Sequence, residues 1–304
     1  MFSVRTAALV LAAATAVAPI TAAYSAVEAR GELPSVKAWS AVAGMSARQV
    51  VDLAGSLPGD ARRSLATYVD VFAARALAGV YRRILVMDAD VVIDTALSPD
   101  PARLMATDMA GHAIAAVRDN RQWRNPGKLA PEFKTMRWPS APYFNAGVVM
   151  ADPAAWIAQG MPARAAAFAR SDLARLGRDQ ALLNGILRGN WAEMSPLWNW
   201  QFTWASSHLL GMADPFVIHF IGPTKPWLAQ SASVVPTRYR ELYARLAPDI
   251  RPADLPAGLD RRHWPTARAL RRALGRQWRA AGPMLDYLNR FPDPYALLDP
   301  RRVG

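Results

Sequence analysis

The stretch "RRILVMDADVVI", residues 82–93, constrains the fold more than any other part of this chain. Apart from Asp88 and Asp90, every residue from Ile84 to Ile93 is apolar, so a strand here needs cover on both faces, whereas a strand wet on one face alternates. Such a run is the kind expected of a parallel strand. Before it, "SLATYVDVFAARAL" sets Leu65, Tyr68, Val69, Phe72 and Ala73 at helical spacing. After it, "DTALSPDPARLM" offers turn residues and a short helix, and "HAIAAVRD" a second buried strand ending in charge. "YFNAGVVMAD" and "FVIHFIG" read as further strands, and "PAAWIAQGMPARAAAFARSDLARL" and "DQALLNGILRG" between them as helical. Alternation of the two patterns predicts an α/β fold.

A chain of 304 residues, 52% hydrophobic, has room for one large domain or a domain with an appendage. With no cysteine it has no disulfide, thiolate zinc site or cysteine nucleophile. Its net charge of +12 favours anionic partners, phosphate-bearing ligands or anionic lipid among them. Nucleic acid, supported by charge alone, is not expected as a partner. Residues 6–27 are uncharged, Ala-rich and follow Arg5; a strand or helix of the main fold, a secretory signal peptide and a membrane anchor are the three readings of that pattern.

Residues 119–142 hold four prolines, two tryptophans and no steady period, which predicts a long functional loop. Near the end, "RRHWPTARALRRALGRQWRA" carries seven arginines, two tryptophans and no acid, so it suits either water or an anionic membrane surface. The expected division is a hydrophobic segment at 1–30, a main domain at 31–247, and a basic, mostly helical extension at 248–304.

Ligands of open α/β sheets bind beyond the carboxyl ends of strands. Asp88 and Asp90, two residues apart in extended backbone, project the same way there. Their hard oxygens suit Mg²⁺ or Mn²⁺, ions that keep positions open for substrate phosphates. His219, in "VIHFIGPTKPW", would shift that preference toward Mn²⁺. Gly222 lets a phosphate approach the backbone, and Lys225 adds a point charge. In "YFNAGVVM", Asn145 offers a donor and an acceptor, and Ala146-Gly147 leave space. In "RDQALLNG", Asp179 and Gln180 open a helix and are able to bind sugar hydroxyls, although Asp179 is also an ordinary N-cap.

Taken in order from about Leu57 to Trp227, "SLATYVDVF", "ILVMDADVVI", "AAVRD", "YFNAGVVMAD", "DQALLNG" and "IHFIGPTKPW" resemble glycosyltransferase family 8, which includes lipopolysaccharide galactosyl- and glucosyltransferases and glycogenin-like enzymes. The resemblance implies the nucleotide-sugar fold called GT-A and a retaining, metal-dependent transfer of galactose or glucose from a UDP-sugar to a glycan or lipid-linked acceptor. It implies that Asp88, Asp90 and His219 hold Mn²⁺ or Mg²⁺, and that Gly222 and Lys225 meet the phosphates. It places Asn145 and Ala146 at the sugar and ribose, Asp119 and Asp179 at the donor sugar hydroxyls, and Gln180 near the anomeric carbon. Because nucleotide sugars are available in the cytoplasm, the expected location is cytoplasmic, with the Arg-rich end touching the inner membrane.

The chain departs from the family pattern in three places. No acid stands before Glu28 where the family has a uridine-gripping segment, Asp70 replaces a frequent arginine, and Ala181 replaces an acid that commonly follows the Asp-Gln pair. These departures leave open a second reading, a catalytically impaired member that acts as a non-catalytic binding or scaffold protein.

Overall fold

The computed structural model describes residues 8–12 (backbone), 74–75, 78–79, 81–88, 90–94, 97–171, 179–202, 213–221, 239, 241 and 266–302. The chain divides into two compact units. The first comprises residues 1–89, 100–195 and 293–304, and the second comprises 90–99 and 196–292. The expected helix from Ser64 lies outside the described residues, apart from Ala74 and Arg75, and so do Asp70 and, except for the backbone of 8–12, residues 1–27.

Unit one is built on a five-stranded mixed sheet in the order β1-β2-β5-β4-β6: β1 (Ala8–Ala12), β2 (Ile84–Asp88), β4 (Ile114–Arg118), β5 (Phe144–Ala151) and β6 (Ala192–Glu193). The α/β class is as expected, but the strand direction is not: β2 runs antiparallel to both β1 and β5. Its apolar run reports burial of both faces, which does not depend on direction. Ile84 and Val86 join a core with Trp156, Met161, Phe168 and Leu182, while Leu85 and Met87, pointing the other way, are also buried. Nor does the run form one strand, because it breaks after Asp88 and resumes as β3 (Val91–Ile93), which belongs to a different sheet.

Three helices of unit one begin where proline occupies the first turn, a position with no hydrogen-bonded N–H to lose. They are α1 (Pro101–Ala106), α2 (Pro131–Thr135) and α3 (Pro153–Ala158). Asp100 and Asp152 cap α1 and α3, their carboxylates accepting from the N–H groups of Arg103 and Ala155. Asp152 also pairs with Arg83 at 2.6 Å, fastening the chain just before β2 to the chain just after β5. The long helical pattern that follows is two helices, α3 and α4 (Met161–Ser171), because Gly160 at φ +64° ends the first. The helix α5 (Asp179–Leu187) packs against α4 and β5.

Residues 119–142 are more ordered than their irregular sequence predicts. Gln122 is buried and ties the segment together: its amide donates to the carbonyls of Lys128 (2.7 Å) and Ala141 (3.3 Å), and its Oε1 accepts from Tyr143 N–H. Trp123 is buried too and donates to the Arg118 carbonyl at 2.6 Å. Phe133 of α2 stands edge-on to Trp138 and Tyr143. Apolar anchors spaced irregularly carry no periodic signal, so the sequence shows them only as a loop.

The last described residues return to unit one. Leu298 exchanges both backbone hydrogen bonds with Glu193 (2.8 and 2.9 Å), and the Tyr295 hydroxyl accepts from Asp100 N–H. Beneath them, Arg118 and Glu193 form a two-pronged ion pair (2.7 and 2.9 Å), both side chains at 0% exposure, and Arg118 also donates to the Pro300 carbonyl at 2.6 Å. The arginine of the charged end of "AAVRD" is therefore internal.

Unit two carries the three-stranded sheet β3-β8-β7, with β7 (Trp200–Phe202) parallel and β3 antiparallel to the central β8 (Val217–Phe220). Phe202, Phe220 and Tyr239 meet edge-on around its core. It also contains the basic helix α6 (Ala267–Leu288), which buries Ala280, Met284 and Tyr287.

Candidate functional site

The carboxylates of the D-x-D triplet stand where β2 ends and the turn into β3 begins. Pairing of β3 with β8 sets Val91 opposite His219, and Phe220 N–H donates to the Asp90 carbonyl at 3.1 Å, so the backbone itself fixes the ring beside the second aspartate. His219 Nε2 lies 3.2 Å from Asp90 Oδ1. The other ring nitrogen, Nδ1, lies 3.0 Å from Oδ1 of Asn199. One ligand atom each from Asp88, Asp90 and His219 fall within 4.8 Å of one another. Ligands around one small divalent ion stand about 3 Å (cis) to 4.2 Å (trans) apart, given bonds near 2.1 Å, so small side-chain rotations would close the set. Two hard carboxylates and one imidazole suit Mn²⁺ or Mg²⁺ and leave positions open for other ligands.

A second polar cluster lies within unit one, at the start of β5. Between Ala116 and Val117 the register of β4 against β5 jumps: Ala116 pairs with Val149, yet Val117 pairs with Asn145. Ala146, Gly147 and Val148 are thereby released from the β4 ladder, and irregularities of this kind re-aim side chains beside binding sites. Asn145 Oδ1 accepts from Gly147 N–H at 3.0 Å and holds the distortion. Gln180, in the first turn of α5, accepts at Oε1 from Asn145 Nδ2 and from Ala146 N–H, both at 3.2 Å. Its Nε2 donates to Asp119 Oδ2 at 3.2 Å. Asp119, which follows β4, takes a bidentate grip from Arg121 (2.7 and 3.1 Å). Of the residues expected to face a sugar, Asp119, Asn145, Ala146 and Gln180 thus form one continuous hydrogen-bonded chain.

The electrostatics of this cluster are set by partial burial. Burial opposes the Arg121 charge, but the Asp119 carboxylate, with Glu132 further off, more than offsets it and holds the guanidinium pKa above its ordinary value. Tyr143 is fully buried, its hydroxyl beside the Gln180 side chain. Burial first, and Glu132 second, push its pKa well above the usual phenol range, so the ring stays neutral.

Ala181, where the family often has an acid, is 2% exposed within α5. Asp179 opens α5, with its side chain outside the described residues; Gly222 and Lys225 lie outside them entirely. Asn184 went unread in the sequence. One turn beyond Gln180, its side-chain amide satisfies both the N–H and the carbonyl of Phe144 at 2.9 Å, fixing β5 to α5 beside Asn145. The signal was present in "DQALLNG", since residues four apart share a helix face. Asn199 gave no such signal, as its link to His219 crosses 20 residues.

Comparison with known proteins bears on the same residues. General stress protein A of Bacillus subtilis (strain 168) is 29% identical over 163 residues, 48% of this chain and 53% of that protein, so the chain spans about half the length of the curated relative it matches. Among solved structures, the galactosyltransferase LgtC in complex with donor and acceptor sugar analogues is 21% identical, with 70% of this chain and 75% of that one covered at a TM-score of 0.47. The bifunctional glycosyltransferase WbbM in its apo form is 18% identical, covering 61% and 38% at 0.44. Residues 37–231, which contain the triplet, the β5 distortion, Gln180 and His219, match the family described as Glycosyl transferase family 8, and this chain belongs to it.

Proposed function

We propose that this protein is a retaining glycosyltransferase that uses a divalent cation, Mn²⁺ or Mg²⁺, to move galactose or glucose from a UDP-sugar to a glycan or lipid-linked saccharide. The observation that carries this reading is the gathering of Asp88 and Asp90 within 4.8 Å of His219, which lies 129 residues beyond Asp90 in the chain. These three would hold the cation. When bound, it neutralises the negative charge that builds on the departing diphosphate. Lys225 and the Gly222 backbone would meet the same phosphates. Asn145 and Ala146 would lie along the sugar and ribose, with Asp119 and Asp179 binding sugar hydroxyls.

Gln180 would sit near the anomeric carbon. Its carbonyl oxygen accepts from Asn145 and Ala146, so the bonds that fix it are ones a sugar would share or displace. An amide is a poor nucleophile, and its oxygen serves instead to stabilise oxocarbenium character as the glycosidic bond lengthens.

The test is a thermal-shift screen of UDP-galactose and UDP-glucose with and without Mn²⁺. A donor at a hundred times its Kd stabilises by about 2.7 kcal/mol, and chelator should abolish the shift and any slow donor hydrolysis. Failure of every UDP-sugar to bind with Mn²⁺ present would remove the transferase reading. Donor binding without turnover would favour the impaired, non-catalytic reading to which Ala181 and Asp70 point.

The helix α6 supports an additional contact with an anionic membrane. Leu270, Leu274, Trp278 and Leu285 are exposed, Trp278 at 86%, and fall on one side of the helix with Arg271, Arg268 and Arg279 beside them. An apolar stripe edged by arginine suits the headgroup boundary. No described helix is long and apolar enough to cross a bilayer. Sedimentation with phosphatidylglycerol vesicles should be strong at low salt and lost at high salt or on Trp278→Glu; equal binding to neutral vesicles would exclude the electrostatic part.

A further inference from the structure

The residue that holds His219 lies outside every motif of the family reading. Asn199 follows a 3-10 turn, Pro196–Trp198, and donates its own N–H to the Pro196 carbonyl at 3.1 Å. Immediately after it, β7 runs parallel to β8 with Gln201 opposite His219. Turn and strand together pin the Asn199 backbone beside the histidine. Asn199 is 0% exposed, His219 is 4% exposed, and the distance between Asn199 Oδ1 and His219 Nδ1 is 3.0 Å. On the opposite edge of the ring, Nε2 faces Asp90 at 3.2 Å.

An imidazole has one proton to place between two nitrogens when neutral, and the hydrogen bond at one decides what the other offers. An amide oxygen at Nδ1 accepts, so it favours the tautomer protonated there. That leaves the Nε2 lone pair directed at the space beside Asp90. A buried ring with no acceptor at Nδ1 would instead satisfy itself by donating from Nε2 to Asp90, and would present a proton where a cation needs a lone pair. Outer partners of this kind fix both tautomer and ring angle in metal sites.

We infer that Asn199 is a positioning residue for the cation site: by accepting from Nδ1 it keeps His219 Nε2 available as a ligand. The inference rests on the proposed cation at Asp88, Asp90 and His219. Its test reads the bound ion itself. Mn²⁺ titrations followed by electron paramagnetic resonance give the affinity, and electron spin-echo modulation reports whether an imidazole nitrogen is coordinated. Asn199→Ala should weaken Mn²⁺ binding about 10- to 100-fold and lose the nitrogen modulation. Asn199→Asp keeps an acceptor of the same shape and should retain both. Once the ring is removed in His219→Ala, Asn199→Ala should have no further effect on affinity.

Wild-type affinity and nitrogen modulation in a folded Asn199→Ala protein would overturn the inference. So would a tenfold loss in Asn199→Asp, which stays informative if the alanine variant does not fold. A wild-type protein that binds Mn²⁺ without nitrogen coupling would overturn the ligand assignment of His219. One that binds no Mn²⁺ at all would overturn the cation site on which the inference rests.

Discussion

Glu193→Ala is expected to destabilise unit one by about 3–5 kcal/mol, because it leaves the Arg118 charge inside the protein without its carboxylate. Both partners are at 0% exposure, and the two oxygens of Glu193 lie 2.7 and 2.9 Å from Arg118 nitrogens. No solvent is near enough to compensate. By contrast, Arg103 and Asp293 pair at 3.3 Å with about half of each side chain exposed, and Asp293→Ala should cost no more than about 1 kcal/mol. Urea denaturation of the two variants measures the difference. Replacing both buried partners with apolar residues of like volume, as in Arg118→Met with Glu193→Leu, should recover most of the loss, since the pair's own desolvation cost disappears with it. A Glu193→Ala midpoint equal to that of Asp293→Ala would show that the buried pair does not hold the strands it joins.

Asp90→Ala should lower metal-dependent turnover of a UDP-hexose by about 10²–10³-fold or more, with the fold intact. Removing a single stabiliser of developing negative charge costs about that much in other enzymes, and here the carboxylate would act through the cation. Its side chain is 19% exposed, so truncation leaves a gap that water fills and no dry cavity. The variant should melt near the wild-type temperature without ligand and lose the extra stabilisation that Mn²⁺ gives in the presence of UDP. Substantial Mn²⁺-dependent turnover by a folded Asp90→Ala protein would contradict the assignment. Both readouts are needed, since loss of turnover alone would also follow from unfolding.

Two carboxylates in one apolar run and a lone histidine in another, "VIHFIG", are each ordinary features of a core strand, and it was their place in an ordered set of motifs that singled them out. Residue type carried the chemistry in both places. Strand direction was hidden, since Leu85 and Val86 are buried on opposite faces whichever way the neighbours run. The β5 distortion was hidden as well: "YFNAGVVMA" scans as an even strand, and only the Val117–Asn145 pairing exposes the three residues released from the β4 ladder. Arg118 read as the charged end of a buried strand, and its internal pairing was hidden because its carboxylate partner lies 75 residues away. Contacts within one helix turn, such as Gln180 to Asn184, were recoverable from spacing. Those bridging separate segments, such as Asn199 to His219, were not, because one sequence without its relatives carries no record of which distant residues meet.

The closure of unit one by residues 293–302 also bears on the order in which the protein is made. Arg118 leaves the ribosome 182 residues before Pro300, whose carbonyl takes one of its hydrogen bonds, and all of residues 196–292 emerge in between. A nascent chain arrested before Leu298 therefore holds β6 with one backbone edge uncapped, at the strand that supplies Glu193. Domains tend to fold as units as they emerge, so unit two, though later in sequence than most of unit one, has all its parts in hand first. Protease resistance of stalled chains should accordingly develop around β7, β8 and α6 before the sheet that surrounds Arg118 is secured.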